Sequence, residues 1–219
     1  LKLTIRNFSM LSMPKTLHCA ILFSGNGSNM QNLIESLHHK RFYNASKKEV
    51  LIEISLTLCN NPNAYGITRA KQLHIPCEII SHRDFTSRQS FDEAMIALLK
   101  AHHIDDVFLA GFMRILTPLF TQSFQAINIH PSFLPAHKGA HAIRDSFNDE
   151  TDYGGVSVHW VSEELDSGDI ILQEKIAKHP QDSLADFESR IHACEYTLYP
   201  RAILYALGLS DSILPHKDI

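Results

Sequence analysis

The sequence predicts an α/β fold: a Rossmann-like, mostly parallel sheet with helices on both faces and a C-terminal antiparallel extension. Apolar strands alternate with amphipathic helices as far as residue 130, which favours parallel strands joined by right-handed crossovers. Beyond residue 150, two strands follow each other without a helix between them, as in an antiparallel pair. The 219 residues, 44% of them hydrophobic, are enough for one such domain, which we place at residues 16–219.

The first strand is predicted over residues 17–24 and leads through a glycine-containing turn into a helix over residues 30–39. The same alternation then places further strands at 50–59, 75–80, 106–111 and 126–130, and helices at 64–73 and 91–103. The antiparallel pair is predicted at 156–161 and 170–178, before a long amphipathic helix that ends near residue 207.

The turn after the first strand has the form of an anion-binding loop. Gly25 and Gly27 permit positive φ and close approach of a ligand, and Ser28 and Asn29 add donors at the start of a helix. Met30 stands where a dinucleotide-binding fingerprint has glycine, and a P-loop lysine is missing. The turn therefore favours a phosphate monoester. The alternative is a plain strand-to-helix turn with a polar N-cap.

A second polar feature ends the strand Ala126–His130. Asn128 and His130 are two residues apart, so they point to the same face, and Pro131 prevents the strand from continuing. Polar residues that merely meet solvent at a strand end are the alternative. In a parallel sheet, however, ligands bind beyond the carboxyl ends of the strands, where the glycine turn and residues 113–116 also lie.

An amide beside an imidazole is suited to polarising a carbonyl oxygen and moving a proton. The sequence has no G-x-S-x-G elbow, so it favours direct attack by a substrate amine over a covalent acyl-enzyme. A carboxylate near His130 would favour its protonated form, and Asp166 in the acidic loop 163–168 is the best-placed carboxylate. A solvated acidic loop is the alternative for Asp166.

Composition argues against several partners. The net charge of −4 and pI near 6.4 disfavour nucleic acid, and no apolar run reaches the length that spans a bilayer. Four cysteines without a C-x-x-C pair suggest free thiols in a reducing cytoplasm. Fourteen histidines without a ligand-like spacing predict no metal site. We interpret residues 1–15 as a loose N-terminal extension rather than a targeting peptide.

Four segments in combination resemble the phosphoribosylglycinamide formyltransferases, the folate-dependent enzymes of de novo purine synthesis. These segments are Gly25–Asn29, Leu109–Leu116, Asn128–Pro135 and Ser157–Gly168. The resemblance extends over roughly residues 16–207. It implies transfer of a formyl group from 10-formyltetrahydrofolate to the amine of glycinamide ribonucleotide.

The resemblance also implies roles for individual residues. Asn128 would polarise the formyl oxygen, His130 would donate a proton, and Asp166 would favour the protonated form of His130. The implied ribonucleotide contacts are Gly27, Ser28, Asn29, His192, Ala193, Cys194 and Glu195. The implied folate contacts are Arg88, Met113, Arg114, Ile115, Leu116, Asn128, Ser162, Glu163, Glu164, Leu165 and Asp166. Leu134-Pro135 matches a bond that is often cis in this family.

The sequence departs from the family pattern beside the site. Ala136-His-Lys-Gly139 replaces the family's Lys-Tyr-Pro-Gly form, and Asp169 stands where proline is common, so the loop detail is open. Formyltetrahydrofolate hydrolase and methionyl-tRNA formyltransferase share part of the pattern but carry an extra domain for which we expect no room. A non-catalytic protein that binds a phosphoribosyl ligand is a further alternative. We expect a cytoplasmic monomer or homodimer whose partners are small-molecule substrates.

Overall fold

The computed structural model describes residues 14–211, which contain one nine-stranded sheet. The strands are β1 (Lys15–Phe23), β2 (Lys40–Asn44), β3 (Glu49–Cys59), β4 (Cys77–Ile79), β5 (Asp106–Leu109), β6 (Ala126–His130), β7 (Tyr153–Trp160), β8 (Ile170–Ala177) and β9 (Leu209–Ser210). The helices are α1 (Ser28–Leu37), α2 (Gly66–Gln72), α3 (Arg88–Ala101), α4 (Pro118–Ser123), α5 (Ala142–Asn148) and α6 (Leu184–Ala206). A short 3-10 helix, His82–Asp84, precedes α3.

The strand order is β8-β7-β6-β5-β1-β3-β2-β9, and β4 pairs with β3. The pairs that join β4, β3, β1, β5 and β6 are parallel, whereas β7 and β8 extend the sheet antiparallel beyond β6. This arrangement confirms the predicted fold class. The glycine turn after β1, the chain after β5 and the end of β6 therefore meet at one edge of the sheet.

Helices cover both faces of the sheet and create two cores. In β1, Ile21 and Phe23 face the core formed with α1 and α6, whereas Ala20 and Leu22 face the core formed with α3 and α4. The alternation follows from the period of two in a strand, and burial on both faces explains why β1 is apolar throughout. The predicted face of α3 is confirmed by the burial of Phe91, Met95 and Leu99.

Two strands were missing from the prediction. β2 pairs antiparallel with β3, and the two-residue β9 pairs with β2 at the sheet's outer edge. β2 is mostly polar and only Phe42 in it is buried, so it lacks the apolar run that marks the interior strands. The prediction instead continued α1 to His39, a residue whose φ of 57° lies outside the helical region.

The structure also bears on the first residues. Lys15, which we assigned to the N-terminal extension, is the first residue of β1 and is paired with Val50. Residues 1–13 of that extension lie outside the described part of the chain.

No helix within residues 14–211 combines the length and apolar character needed to cross a membrane. The four cysteines are free thiols, and Cys19, Cys59 and Cys194 are buried as predicted.

Tyr199 of α6 holds together the two strands that lead to the candidate site. Its ring is fully buried, and its hydroxyl lies 3.0 Å from the carbonyl oxygen of Leu109 in β5 and 2.9 Å from that of Ile127 in β6. A phenol has one proton, so it donates to these two carbonyls alternately or in a shared bond. The contact ties the long helix to the last residue of β5 and to the second residue of β6.

We predict that Tyr199→Phe lowers the free energy of unfolding by about 1–2 kcal/mol, because a buried hydrogen bond is lost and no comparable partner replaces it. Chemical denaturation measures the change. Tyr205→Phe is the matched control, since Tyr205 lies on the same helix with 68% of its surface exposed. Equal stability of the two variants would contradict this role of the Tyr199 hydroxyl.

Candidate active site

A cavity of about 550 Å³ lies beyond the carboxyl ends of the parallel strands. Ten of the residues predicted for the site line it: Asn29, Met113, Arg114, Ile115, Asn128, His130, Leu165, Asp166, His192 and Glu195. The predicted residues outside this lining are Gly27, Ser28, Arg88, Leu116, Ser162, Glu163, Glu164, Ala193 and Cys194. The cavity therefore brings together the amide, imidazole and carboxylate around which the sequence hypothesis was built.

The glycine turn leads into α1 at one end of this cavity. Gly27 has φ 77°, and a Cβ on it would lie 2.7 Å from the Cα of Gly66, so both the conformation and the close approach require glycine. No side chain caps the first turn of α1 within the described chain, which leaves its backbone N–H groups available. The buried Oδ1 of Asn29 has no hydrogen-bond partner among the described residues, and as an acceptor it suits a donor group of a ligand and not its anionic part. The turn thus suits an anion.

Asn128 is oriented by His159, a residue of the neighbouring strand β7. The Nδ1 atom of His159 lies 2.8 Å from the carbonyl oxygen of Trp160, so Nδ1 carries the proton and donates it. The bare Nε2 atom then accepts from Nδ2 of Asn128 at 3.2 Å. Burial lowers the pKa of His159, which favours this neutral form. The second N–H of the Asn128 amide is left for a ligand.

His130 has an oxygen acceptor next to each ring nitrogen. Its Nε2 lies 2.8 Å from the carbonyl oxygen of His137, and its Nδ1 lies 3.5 Å from Oδ2 of Asp166. The side chains of His130 and Asp166 are each only 7% exposed. The two ring nitrogens therefore face different partners, Nε2 a backbone carbonyl and Nδ1 a carboxylate. The sequence offered Asp166 as a candidate partner and left the distance open, and the structure places its carboxylate beside the His130 ring.

Backbone geometry holds the Asp166 carboxylate in place. Asp166 has φ 48°, a left-handed conformation that aspartate adopts more readily than most residues, and its Oδ2 accepts the N–H of Gly139 at 2.9 Å. A Cβ on Gly168 would lie 1.7 Å from the carbonyl oxygen of Trp160, so only glycine lets the acidic loop fold back against β7. The loop is therefore built into the site and is not simply solvated.

The turn after β6 is fixed by side chains of the antiparallel extension. The hydroxyl of Ser157 accepts the N–H of Leu134 at 3.0 Å and donates to the carbonyl of Ser132 at 2.6 Å. Gln173 donates to the carbonyl of Leu134 at 2.8 Å. The Leu134-Pro135 peptide bond is cis, as the family resemblance implied. The strands β7 and β8 thus shape the loop that follows His130.

On the side of the cavity formed by α6, His192 and Glu195 form a hydrogen-bonded pair with Nδ1 and Oε2 2.7 Å apart. This bond raises the pKa of His192. Glu195 is 3% exposed, so the carboxylate is buried against its partner. Burial raises the pKa of the Cys194 thiol to about 12, which makes it a poor nucleophile at neutral pH. The neighbouring Ala193 is exposed.

The opposite side of the cavity is apolar and open. Met113, Ile115 and Leu165 expose 63%, 45% and 44% of their surface, although large apolar side chains are usually covered. Leu116 is buried in the core formed with α3, and Arg88 opens α3 as an exposed residue. A flat hydrophobic ligand group would cover the three exposed side chains.

The residues of the site that the sequence did not predict include His137, Gly139, Ser157 and His159. His159 carried a usable signal, because the strand alternation 156–161 places it on one face with Ser157, and neither polar residue suits an apolar core. His137 and Gly139 contribute through their backbone, which side-chain patterns do not reveal. Within residues 14–211, no cluster of His, Cys, Asp or Glu could hold a metal ion.

A mostly parallel sheet with a polar cavity beyond its strand ends defines a Rossmann-like α/β enzyme fold. Residues 17–203 match the family model described as "Formyl transferase". A crystal structure of phosphoribosylglycinamide formyltransferase from Campylobacter jejuni has a TM-score of 0.82 and 43% sequence identity, covering 89% of this chain and 99% of that one.

Curated relatives agree with the structural match. Phosphoribosylglycinamide formyltransferase of Haemophilus influenzae is 36% identical over 200 residues, which are 89% of this chain and 91% of that protein. Trifunctional purine biosynthetic protein adenosine-3 of Chironomus tentans is also 36% identical, but the match covers only 14% of that protein. The chain belongs to the formyl transferase family and, within it, to the phosphoribosylglycinamide formyltransferases of purine biosynthesis.

We predict that His159→Leu lowers kcat by about 10–100-fold, because Asn128 loses the acceptor that fixes its amide. The assay is steady-state formyl transfer at pH 7.5 with both substrates saturating. His159→Gln, whose amide oxygen accepts the same bond, is the matched variant and should retain most of the activity. Wild-type kcat in His159→Leu would show that Asn128 does not depend on His159.

Proposed function

We propose that this enzyme transfers the formyl group of 10-formyltetrahydrofolate to the amino group of glycinamide ribonucleotide by direct attack. The observation that carries the proposal is the meeting of Asn128, His130 and Asp166 in one cavity, between an anion-binding turn and an open apolar side. The cavity thereby has a place for a phosphate, a place for a flat ring system and polar groups between them.

The ribonucleotide phosphate binds to the N–H groups of residues 27–29, where α1 begins with no side-chain cap in the described chain. The Ser28 hydroxyl and the Asn29 side chain supply additional polar contacts. The glycinamide end then lies toward His192 and Glu195, whose hydrogen-bonded pair borders the same cavity. The amine is thereby directed to the end of β6.

The folate ring system packs on the exposed apolar side chains of Met113, Ile115 and Leu165. Burial raises the pKa of Asp92, and the nearby guanidinium groups of Arg88 and Arg114 partly oppose this rise. These two guanidinium groups suit the carboxylates of the folate's glutamate part. Residues 162–164 and the backbone of Leu116 complete the folate side.

In the reaction, the amine nitrogen forms a bond to the formyl carbon, and the carbonyl oxygen becomes an oxyanion that the free N–H of Asn128 stabilises. Collapse of this intermediate breaks the bond between the formyl carbon and N10 of the folate. His130 donates a proton to the departing N10, and its imidazole then takes up the proton that the attacking nitrogen loses, so the protons balance. Asp166, whose Oδ2 lies 3.5 Å from Nδ1 of His130, is the charged partner that orients the ring.

Direct transfer fits the side chains present. Cys194, the cysteine nearest to the proposed ribonucleotide contacts, has a pKa raised by burial to about 12 and is a weak nucleophile. The proposed reaction requires no metal ion, nucleic acid or membrane. We propose that the enzyme acts in the cytoplasm, as a monomer or a homodimer.

We predict that the purified protein formylates glycinamide ribonucleotide when 10-formyltetrahydrofolate is supplied, with equal molar yields of tetrahydrofolate and formylated product. Absorbance of the folate and mass spectrometry of the ribonucleotide measure both products. Asp166→Asn is the control for the site, and it should lose most of the rate because the carboxylate charge beside His130 disappears. Release of free formate without the ribonucleotide would instead identify a hydrolase.

A further inference from the structure

The loop that follows β6 contacts both members of the proposed acid pair through its backbone. The carbonyl oxygen of His137 lies 2.8 Å from Nε2 of His130, and the N–H of Gly139 lies 2.9 Å from Oδ2 of Asp166. Because these two peptide groups are only two residues apart, any shift of the loop moves both contacts together. The orientation of His130 and Asp166 therefore depends on what holds this loop.

The loop backbone is irregular, and the hydrogen bonds that hold its first part end at Ala136, whose N–H donates to the Phe133 carbonyl at 3.2 Å and whose carbonyl accepts from the Ser132 hydroxyl at 2.6 Å. His137 has φ 54° and Gly139 has φ 90°, whereas Ala136 and Ala140 on either side are exposed. Neither residue belongs to a helix or strand, so no ladder of backbone hydrogen bonds fixes this stretch. The fixation must come from side chains that reach out of the loop.

The His137 side chain makes that connection. Its Nε2 lies 2.5 Å from Oδ2 of Asp149, the residue that ends α5, and the two side chains are 22% and 24% exposed. Lys138 also reaches the hydroxyl of Ser167, but its side chain is 36% exposed and belongs to the more solvated rim of the loop. The half-buried pair between His137 and Asp149 is the stronger of the two links.

Asp149 is itself held rigidly on the scaffold. Lys178 lies 2.6 Å from its Oδ1, and Thr151 donates to the same oxygen through its N–H at 3.0 Å and its hydroxyl at 2.6 Å. Lys178 also donates to the carbonyl oxygen of Ser146 at 2.7 Å. Burial opposes ionisation, yet the hydrogen bonds from Lys178, Thr151 and His137 lower the pKa of Asp149 well below its ordinary value. Asp149 is thus a fixed anionic anchor.

We propose that His137 is a positioning residue for His130. Its side chain is tied to Asp149, which fixes the carbonyl oxygen that receives the Nε2 proton of His130 and so aims Nδ1 at Asp166 and the cavity. The proposal rests on the proposed role of His130 as proton donor. His137 lies in the segment 136–139, where the sequence departs from the Lys-Tyr-Pro-Gly form of the family.

The test compares His137→Leu and His137→Gln with the wild type and with a control variant in the formyl-transfer assay. His137→Leu removes the bond to Asp149, and we expect kcat to fall by about 10–100-fold, with both KM values within about twofold, because the loop still forms but His130 loses its orientation. His137→Gln places an amide N–H where the imidazole Nε2 was, and it should restore kcat to within about threefold. His102→Ala, an exposed residue at the end of α3, is the control and should leave kcat unchanged.

His137→Asn keeps a polar side chain that is too short to reach Asp149, so it replaces His137→Leu if thermal denaturation shows that the leucine variant is unfolded. A wild-type kcat in a folded His137→Leu or His137→Asn variant would overturn the proposal. So would an equal loss in His137→Gln, or a rise in KM alone, since the first separates His137 from the Asp149 bond and the second indicates a substrate contact.

His130→Gln, measured in parallel, separates this proposal from the proposed catalytic site. If His130→Gln retains full activity, the assignment of His130 as proton donor fails, and the positioning role fails with it. If His130→Gln is inactive while the variants at residue 137 behave as wild type, only the positioning role fails.

Discussion

The site is organised around one buried carboxylate. Asp166 is 7% exposed, and its two oxygens face the rings of His130 and His159 and the N–H of Gly139. A buried negative charge is costly unless donors face it, and the donors here are the N–H of Gly139 and the ring of His130, since Nε2 of His159 carries no proton. Strand β6, strand β7, the acidic loop and the loop after Pro135 are joined at this point. The left-handed conformation of Asp166 is tolerated because these contacts hold it.

The two histidines beside this carboxylate have different hydrogen-bond partners, which suit different functions. His159 gives its Nδ1 proton to a backbone carbonyl, and burial lowers its pKa, so it serves as a neutral acceptor that orients Asn128. His130 has an oxygen next to each nitrogen, which suits the protonated ring that a proton donor requires. Neighbouring groups whose surroundings favour opposite charge states are typical of acid-base sites. In the reaction that we propose, the amide stabilises charge on oxygen while the imidazole moves a proton.

The fold and the centre of the site were accessible from the sequence because they follow from periodicity. Alternating strands and helices predicted the parallel sheet, and a two-residue spacing before proline placed Asn128 and His130 on one face. What the sequence did not show depends on backbone geometry and distant contacts. The carbonyl of His137 and the N–H of Gly139 carry no side-chain pattern, and β2 is too polar to be recognised as a strand. The predicted site did not include His159, because the alternating pattern around it indicates a strand and no chemical function.

The most direct measurement is a crystal structure of the enzyme with glycinamide ribonucleotide and a folate analogue that cannot transfer its one-carbon group. The account predicts the phosphate on the N–H groups of residues 27–29 and the amine about 3–3.5 Å from the carbon that stands for the formyl group. The analogue's carbonyl oxygen should lie within hydrogen-bonding distance of Nδ2 of Asn128, with Nδ1 of His130 beside the folate nitrogen. A complex whose amine and one-carbon group meet away from Asn128 and His130 would contradict the account.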